Sequence, residues 1–306
     1  MIENGSGRVL RSTGSWYTVM SGDGETIECR LKGKFRTKGI RATNPIAVGD
    51  IVDFEVENNH DTGIIVNIHT RTNHIIRKAT KLSHETHIIA ANIDQVVIIV
   101  SLVQPRTSLG FIDRLLATAE AYHIPAVVVI NKTDLYNTDV TEQMNSIIST
   151  YNAVGYNITT SSVVDKSGLD DFKNLLINKI SLLSGHSGVG KSALINSVDP
   201  TLDLKTGSIS EYHQKGTHTT TFATMFALKF GGFVIDTPGI KEFGLVEFDK
   251  TELGQRFPEI RQRMHECRFN NCLHLNEPGC AVIEAVKNEE ISDFRYRNYL
   301  NMLESI

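Results

Sequence analysis

The sequence predicts a multidomain protein with three parts: a small β-barrel over residues 1–70, an α/β domain over residues 71–248 and a small helical domain over residues 249–306. Three observations support this division. Short runs rich in β-branched residues alternate with turn clusters in the first part. Strand and helix patterns alternate in the second part, where a glycine-rich phosphate-loop motif follows one strand. Three of the 4 cysteines lie close to a histidine in the third part.

Composition excludes several classes of protein. With 41% hydrophobic and 22% charged residues, the chain is not disordered as a whole. A net charge of −4 excludes a uniformly basic nucleic-acid coat but permits a local basic face. No apolar run approaches the ~20 residues that cross a bilayer, and residues 1–5 lack the basic and apolar segments of a secretory signal. We therefore expect a cytoplasmic protein without a membrane anchor, and a monomer as the default state.

Four strands are expected in the first part. They cover residues 15–20, 26–31, 51–57 and 63–69, which are rich in β-branched residues. Turn-forming residues separate them at 21–24, 48–50 and 58–63. Short strands at this regular spacing are typical of a small barrel.

The second part alternates between strands and helices. Apolar runs predict strands at residues 95–103, 126–130, 156–160, 179–183 and 233–235. Helical spacing predicts helices at residues 111–122, 141–151 and 169–180. This order is typical of a doubly wound α/β sheet. In the third part, apolar and aromatic residues at helical spacing predict an amphipathic helix over residues 291–303.

A phosphate-loop motif follows the strand at residues 179–183. The pattern G-x-x-x-x-G-K-S is formed by Gly185, His186, Ser187, Gly188, Val189, Gly190, Lys191 and Ser192. A strand before it and a helix beginning at Ala193 are the context that this motif requires. Backbone N–H groups of the loop would surround phosphates, Lys191 would reach the β and γ phosphates, and Ser192 would ligate Mg²⁺. The alternative is a glycine-rich turn without a ligand.

A second polar motif follows the strand at residues 126–130 and consists of Asn131, Lys132, Thr133 and Asp134. The Asp134 carboxylate can accept two hydrogen bonds from the N1 and N2 edge of guanine, whereas adenine offers no such donor pair. Lys132 can lay its stem along the base, and Asn131 can tie the loops together. A surface turn is the alternative. Ser161 and Ser162, after the next strand, are further candidates for the base site, and a helix cap is the alternative for them.

Candidate magnesium ligands come from two further segments. Asp236 follows the strand at residues 233–235 and begins the sequence D-T-P-G, in which the Gly239 N–H can sense a γ-phosphate. An aspartate there can hold Mg²⁺ through water. Thr219 or Thr220, in a polar loop before the preceding strand, could complete the ion's shell, and we assign Thr220. The alternative for this threonine pair is simply strand formation.

The third part contains a candidate metal centre. Its spacing, C-x4-C-x-H-x5-C, comes from Cys267, Cys272, His274 and Cys280. Three cysteines and one histidine make a closed tetrahedral Zn²⁺ site, which is typically structural. A disulfide would leave one of these cysteines unpaired and does not fit a cytosolic protein.

The order of the motifs is unusual. The base loop at residue 131 precedes the phosphate loop at 185 and the aspartate at 236, whereas the base loop comes last in the usual GTPase order. The motifs can meet in space whatever their order along the chain, because circular permutation of a domain is tolerated. In this motif order, in the sequence G-x-S-G-V-G-K-S and in the Cys/His cluster, nearly the whole chain resembles the RsgA (YjeQ/YloQ) family of circularly permuted GTPases.

The resemblance implies an OB-fold, then a circularly permuted GTPase domain, then a zinc-binding helical domain with its zinc ligands at the four residues named above. It also implies hydrolysis of GTP to GDP, dependent on Mg²⁺ and stimulated by the small (30S) ribosomal subunit, in late maturation of that subunit. The implied partners are GTP, GDP, the subunit and its rRNA. One departure is Thr217, where the family commonly has a basic residue before His-Thr-Thr.

The residue that orients the attacking water is not evident. Many GTPases have a glutamine after D-x-x-G, but this chain has Ile240 there. Isoleucine cannot orient water, so intrinsic hydrolysis should be slow or another group must act. His218 is the candidate catalytic residue because it lies beside the two threonines, and His186 is a weaker candidate. The alternative for both is an exposed polar residue.

A basic segment in the first part is the candidate RNA-binding surface. It contains six basic residues, one aromatic residue and no acid, and consists of Arg30, Lys32, Lys34, Phe35, Arg36, Lys38 and Arg41. A barrel with a basic loop and a stacking aromatic residue suits RNA. A solvated charged loop is the alternative.

Two other functions stay open on the residues alone. A P-loop ATPase or small-molecule kinase would use residues 185–192 but would give no role to Asp134. A non-catalytic RNA-binding scaffold, stabilised by nucleotide, would account for Ile240 in place of glutamine.

Overall fold

The structure is a computed structural model that describes residues 2–32, 45–57, 62–78, 86–204, 223–236 and 249–306. Its strands are β1 (Ile2–Ser12), β2 (Tyr17–Ser21), β3 (Thr26–Leu31), β4 (Ile51–Glu57), β5 (Thr62–Ile68), β6 (His74–Lys78), β7 (Thr86–Ala91), β8 (Gln95–Val100), β9 (Ala126–Asn131), β10 (Asn157–Ser161), β11 (Ile180–Ser184), β12 (Thr224–Ala227) and β13 (Phe233–Asp236). Its α-helices are α1 (Leu109–Ala121), α2 (Thr138–Ala153), α3 (Leu169–Leu176), α4 (Lys191–Val198), α5 (Lys250–Leu253), α6 (Pro258–Arg263), α7 (Ala281–Lys287) and α8 (Asp293–Glu304).

The chain divides into two compact units. The first contains the described residues of Met1–Val96, Lys173–Ser184 and Ser192–Gly244. The second contains those of Val97–Phe172, Gly185–Lys191 and Leu245–Ile306. Among the described residues, no helix has the length and apolar character needed to cross a membrane.

The first five strands form the predicted small barrel. They pair in the order β1-β2-β3-β5-β4, and β1 also pairs with β4, which closes the sheet on itself. Only β3 and β5 run parallel; the other pairs are antiparallel. Alternate residues point inward and form an apolar core around Tyr17, Val19, Cys29, Val52 and Ile65. This is the five-stranded closed arrangement of an OB-fold.

The first strand, β1, was not among the predicted strands. Polar residues and two glycines hide its alternation of apolar and polar positions. Both glycines are needed where they stand: a Cβ on Gly5 would lie 2.5 Å from Cζ of Phe54, and one on Gly7 would lie 2.4 Å from the carbonyl oxygen of Met20. The strand therefore depends on close backbone approach, which side-chain patterning does not report.

The first unit also contains three strands of the α/β part. Strand β11 pairs in parallel with β13, and β12 pairs antiparallel with β13. The predicted strands at 179–183 and 233–235 correspond to β11 and β13. The predicted helix at 169–180 ends at Leu176 as α3, because residues 180–184 belong to β11.

The second unit contains the parallel pair β9 and β10, with β8 as the next strand in the sheet. All six residues of β8 are buried, as its continuous apolar run predicted. In the register of β9 and β10, Asn131 lies directly beside Ser161. The carboxyl ends of these two strands therefore place two of the predicted polar segments next to each other.

The predicted helical part is confirmed. Helices α5 to α8 share an apolar core that includes Leu253, Phe257, Val282, Ile291 and Tyr299. The predicted helix at residues 291–303 corresponds to α8. Its apolar face is buried in this core, as its amphipathic pattern required.

Candidate nucleotide site and metal centre

The phosphate loop has backbone geometry that only glycine adopts readily. Gly185, Gly188 and Gly190 have φ angles of 138°, 85° and 100°, which lie in the region that favours glycine. Space is also restricted: a Cβ on Gly185 would lie 2.0 Å from the carbonyl oxygen of Ile99. The glycine pattern of the motif is therefore a physical requirement of this loop.

The Lys191 side chain curls back over the loop. Its ammonium group donates hydrogen bonds to the carbonyl oxygens of Gly185 at 2.7 Å and His186 at 2.9 Å. These contacts hold a positive charge at the loop. The next residue, Ser192, is buried in the first turn of α4.

Asn131 connects three segments of the site. Its side-chain amide donates to the carbonyl oxygen of Val189 in the phosphate loop at 2.8 Å. Its side-chain oxygen accepts a hydrogen bond from the Ser161 hydroxyl at 3.1 Å. Asn131 is also 1% exposed, so these bonds satisfy polar groups that water does not reach. The segments beginning at residues 131, 161 and 185 therefore meet at one side chain.

Asp134 and Ser162 are also brought together. The Ser162 hydroxyl donates to the Asp134 carboxylate at 2.6 Å, and its oxygen accepts a hydrogen bond from the Val164 N–H at 3.2 Å. Thr133 donates from its hydroxyl to the carbonyl oxygen of Ser161 at 3.3 Å. Asp134 itself is exposed. Its carboxylate is thus oriented by a neighbour while facing solvent.

Lys132 lies beside these residues in a left-handed backbone conformation, with a φ of 64°. Its ammonium group donates to the carbonyl oxygen of Gln104 at 2.7 Å. This contact extends the side chain across the loop that follows β8.

Two aromatic residues at the site were missed by sequence reasoning. The Tyr136 hydroxyl donates to the carbonyl oxygen of Asn131 at 2.9 Å and accepts from the Leu102 N–H at 2.8 Å. The Phe111 ring stacks on the His186 ring, with centroids 3.8 Å apart. No sequence signal separates these rings from ordinary core aromatics. The stacking attaches the phosphate loop to the first turn of α1.

Several predicted site residues lie outside the described residues. They are His218, Thr219, Thr220 and Gly239 of the GTP site, and Lys34, Phe35, Arg36, Lys38 and Arg41 of the basic segment. Asp236, at the end of β13, is described and buried. Of the basic segment, Arg30 lies over the Trp16 ring, and Lys32 pairs with Glu55 at 3.7 Å.

The four metal-ligand candidates converge. Their ligand atoms all lie within 4.8 Å of one another. Sγ of Cys267 lies 3.6 Å from Nδ1 of His274 and 3.8 Å from Sγ of Cys280, and the His274 and Cys280 atoms are 3.3 Å apart. A zinc tetrahedron with Zn–S of about 2.3 Å and Zn–N of about 2.0 Å has edges of about 3.5–3.8 Å. The cluster therefore fits one zinc ion.

The surroundings of the cluster support a cation. Burial raises the pKa of the Cys272 thiol to about 12, so thiolates here require a compensating positive charge. Burial lowers the pKa of His274, which favours the neutral imidazole that ligates metals. The Tyr296 and Tyr299 hydroxyls of α8 donate to the carbonyl oxygens of His274 and Leu273 at 2.5 and 2.8 Å. The helix thus holds the ligand loop in place.

Comparison with known proteins decides the family. A family model described as RsgA GTPase matches residues 68–246, more than half of the chain. The chain belongs to the RsgA GTPase family. A second model, the RsgA N-terminal domain, matches residues 6–65, which include most of the barrel.

Curated relatives and solved structures in this family match nearly the full length. The small ribosomal subunit biogenesis GTPase RsgA of Phocaeicola vulgatus is 52% identical, covering 97% of this chain and 96% of the relative. The protein of that name from Flavobacterium psychrophilum is 50% identical, covering 98% of this chain and 92% of the relative. The crystal structure of YjeQ from Thermotoga maritima matches with a TM-score of 0.81 at 34% identity, covering 99% of this chain and 98% of that one. YloQ, a circularly permuted GTPase, matches with a TM-score of 0.77 at 29% identity, covering 99% and 95%.

Proposed function

We propose that the chain is a GTPase of small ribosomal subunit biogenesis, which hydrolyses GTP to GDP and phosphate when it is bound to the 30S subunit. The observation that carries the nucleotide assignment is the Asn131 side chain, which joins the phosphate loop to the segments bearing Asp134 and Ser162. A guanine-selective carboxylate and a phosphate loop held together in this way favour GTP. The ribosomal role rests on the relatives named above. Such a role belongs in the cytoplasm.

In the proposed complex, backbone N–H groups of residues 185–190 surround the phosphates, and Ala193 lies at the start of the helix behind them. Lys191 exchanges its two carbonyl contacts for the β and γ phosphates. The base is recognised by Asp134, with Lys132 along its face and Ser162 orienting the carboxylate. Ser161 and Thr133 support this loop through Asn131 and the backbone.

Magnesium, when bound with GTP, would neutralise the negative charge that develops on the phosphates. Ser192, Thr220 and Asp236 are the proposed ligands. Mg²⁺ takes hard oxygen ligands such as the Ser192 hydroxyl and the Asp236 carboxylate, and both residues are buried. Gly239 is proposed to sense the γ-phosphate.

The principal test is GTP turnover by the purified protein, alone and with stoichiometric small subunits, with ATP as the control nucleotide. We expect slow turnover alone, strong stimulation by the subunit and no comparable ATP hydrolysis. Asp134→Asn should shift preference from GTP toward XTP, because an amide can donate to the xanthine oxygen. ATP preference would establish the ATPase alternative. Binding of GTP without stimulated turnover would establish the scaffold alternative.

His218 is the proposed residue that orients the attacking water, because Ile240 cannot do so. His218→Ala should abolish most subunit-stimulated turnover while GTP and subunit affinities stay unchanged. His265→Ala, which removes an exposed histidine in the helical part, serves as the control. Unchanged stimulated turnover in His218→Ala would show that another group acts.

A further inference from the structure

One face of the barrel combines aromatic, cationic and apolar side chains in a single row. In the register of β2 and β3, Tyr17 lies beside Cys29, and both point into the core. The adjacent residues, Trp16 and Arg30, therefore lie beside each other on the outer side. In the pairing of β3 with β5, Arg30 lies beside Ile64. The row across the sheet is thus Trp16, Arg30 and Ile64.

The contacts within this row are specific. The Arg30 guanidinium carbon lies 3.9 Å from the centroid of the Trp16 ring, which is cation–π distance. Trp16 is held at the end of the β1–β2 turn, where its N–H donates to the Thr13 hydroxyl oxygen at 3.3 Å and its carbonyl oxygen accepts from the Thr13 N–H. Ile64 is 40% exposed, although it is a large apolar residue in a strand. These bonds hold the Trp16 main chain at the turn, and its half-buried indole packs against Arg30 on the outer side of the barrel.

Charge marks one end of this row. Chain direction places Arg30 and Lys32 at the end of β3, where the sequence continues into a segment with four further basic residues. Two acids border the row: Glu28 accepts a hydrogen bond from Thr18 at 2.6 Å, and Glu55 pairs with Lys32 at 3.7 Å. Lys32 is thus paired with Glu55, whereas no carboxylate of the described residues forms an ion pair with Arg30. The row therefore offers one guanidinium beside an aromatic ring, and its complement is an anionic ligand with flat rings.

We propose that Trp16 is a stacking platform for an unpaired base of RNA, with Arg30 holding the indole and meeting the RNA backbone, and Ile64 extending the apolar surface. Single-stranded nucleic acid is bound by this combination of aromatic rings and a cationic track. In an OB-fold, the face of strands 2 and 3 suits this use. The inference rests on the proposed ribosomal function and assigns RNA contact to a residue outside the basic segment at 30–41.

Trp16 is the only tryptophan in the chain, so it reports on its own contact. The full-length protein is titrated with a single-stranded oligouridylate of about ten nucleotides, a length suited to one OB-fold. We expect quenching of tryptophan emission that saturates with binding. Binding measured by anisotropy of labelled RNA should weaken about tenfold or more in Trp16→Ala, as loss of one stacked base predicts. Trp16→Phe should retain most affinity, which controls for folding of the turn.

A matched control comes from the helical part. Phe269 is also 40% exposed and has a neighbouring arginine, Arg268, at 5.5 Å from its ring. Phe269→Ala should leave the affinity for the oligonucleotide unchanged, whereas Arg30→Gln should weaken binding and reduce its salt dependence.

The inference would be overturned if the oligonucleotide bound without changing tryptophan emission, or if Trp16→Ala bound it with wild-type affinity. It would also be overturned if the wild-type protein were stimulated by subunits but did not bind the oligonucleotide. A further contrary result is that Trp16→Ala binds intact subunits more weakly but binds the oligonucleotide with unchanged affinity. That result would assign the row to contact with a ribosomal protein and would overturn the inference as well. Each of these leaves the proposed GTPase function standing. That function fails separately, if wild-type turnover is not stimulated by subunits.

Discussion

At the scale of single residues, Asn131 and Gly190 depend on each other. A Cβ on residue 190 would lie 2.4 Å from Nδ2 of Asn131, the same atom that donates to the carbonyl oxygen of Val189. Any larger residue at 190 would displace the amide and break this contact. The glycine thus serves two purposes, because it permits a positive φ and leaves room for the connecting side chain.

Asp199 performs a similar connecting role in the first unit. It is 2% exposed and follows α4, the helix that begins at the phosphate loop. Its carboxylate accepts hydrogen bonds from the Thr201 hydroxyl at 2.6 Å and the Lys229 N–H at 2.7 Å. Burial opposes ionisation, but hydrogen bonds from Thr201 and Lys229 outweigh it and hold the pKa of Asp199 below its ordinary value.

We predict that Asp199→Asn lowers the free energy of unfolding by about 1–3 kcal/mol near pH 7. A depressed pKa means that the carboxylate stabilises the fold above the unfolded-state pKa of about 3.9. This stabilisation is lost as the pH falls through the folded-state pKa. In urea unfolding, the free energy of unfolding of the variant should therefore differ strongly from that of the wild type at pH 7 and only slightly at pH 3.

The control for this prediction is Asp203→Asn, which changes an exposed carboxylate four residues away at a left-handed position that asparagine tolerates. It should change stability by no more than about 0.5 kcal/mol. An equal loss for Asp199→Asn at both pH values would contradict an explanation based on ionisation.

At the scale of elements, helix α1 contacts two parts of the second unit. Its first turn carries Phe111, which stacks on His186 of the phosphate loop. The next turn carries Asp113, whose carboxylate accepts hydrogen bonds from Arg295 and Asn298 of α8 and from Tyr151 of α2. The helix therefore joins the phosphate loop to the helical part through residues two positions apart.

Arg295 is the centre of this second contact. It is 1% exposed and donates to the Glu259 carboxylate at 2.7 and 3.0 Å as well as to Asp113. Its guanidinium also lies within cation–π distance of three rings, those of Phe257, Tyr151 and Tyr156. One cation thus compensates two buried carboxylates.

We predict that Arg295→Met destabilises the protein by about 3–5 kcal/mol, because it leaves two carboxylates buried without a cation. Adding Glu259→Gln to Arg295→Met should recover part of the loss, since one uncompensated charge is removed. Urea unfolding measures both. Arg297→Met is the control on the same helix, because its ion pair with Asp293 is exposed and should contribute no more than about 1 kcal/mol. Equal losses at 295 and 297 would contradict this account.

The zinc loop is the element that depends most on a ligand. Its 14 residues from 267 to 280 contain short turns and no α-helix of their own, so the cluster and the tyrosines of α8 organise it. We predict that the purified protein contains about one zinc ion per chain. Chelation, or Cys272→Ser, should remove the ion. The melting temperature of the protein should then fall, because the helical part is destabilised.

Cys29→Ala is the control for zinc content, because Cys29 is buried in the barrel. It should leave the zinc content, measured by atomic absorption, at about one ion per chain. Full stability after complete zinc removal would contradict a structural role for the metal.

At the scale of the whole molecule, the permuted motif order has little effect on geometry. The base loop precedes the phosphate loop by more than fifty positions, yet the Asn131 amide reaches Val189 at 2.8 Å. This contact is possible because loops at the carboxyl ends of strands gather at one edge of an α/β sheet. Which motif comes first in the chain affects only the connections.

Sequence alone determined which chemistry is predicted for this protein. Glycine spacing, N-K-x-D and the Cys/His cluster each require specific residue types, so they predict a phosphate loop, a base loop and a metal centre without reference to the fold. Apolar runs likewise predicted β8, β9 and β11, because a strand buried on both sides needs apolar residues throughout. Strand β1 was missed, because its packing depends on glycines rather than on a pattern of side chains.

Only the tertiary structure decided which of several similar residues matter. Arg295 and Arg297 are equivalent in the sequence of one helix, but one lies among buried carboxylates and the other is exposed. Phe111 and Tyr136 resemble core aromatics until their contacts with the phosphate and base loops are known. The proposed role of Trp16 depends on strand register, which places this residue beside Arg30. Local patterns record the chemistry of each residue, whereas contacts between distant residues arise only when the chain is packed.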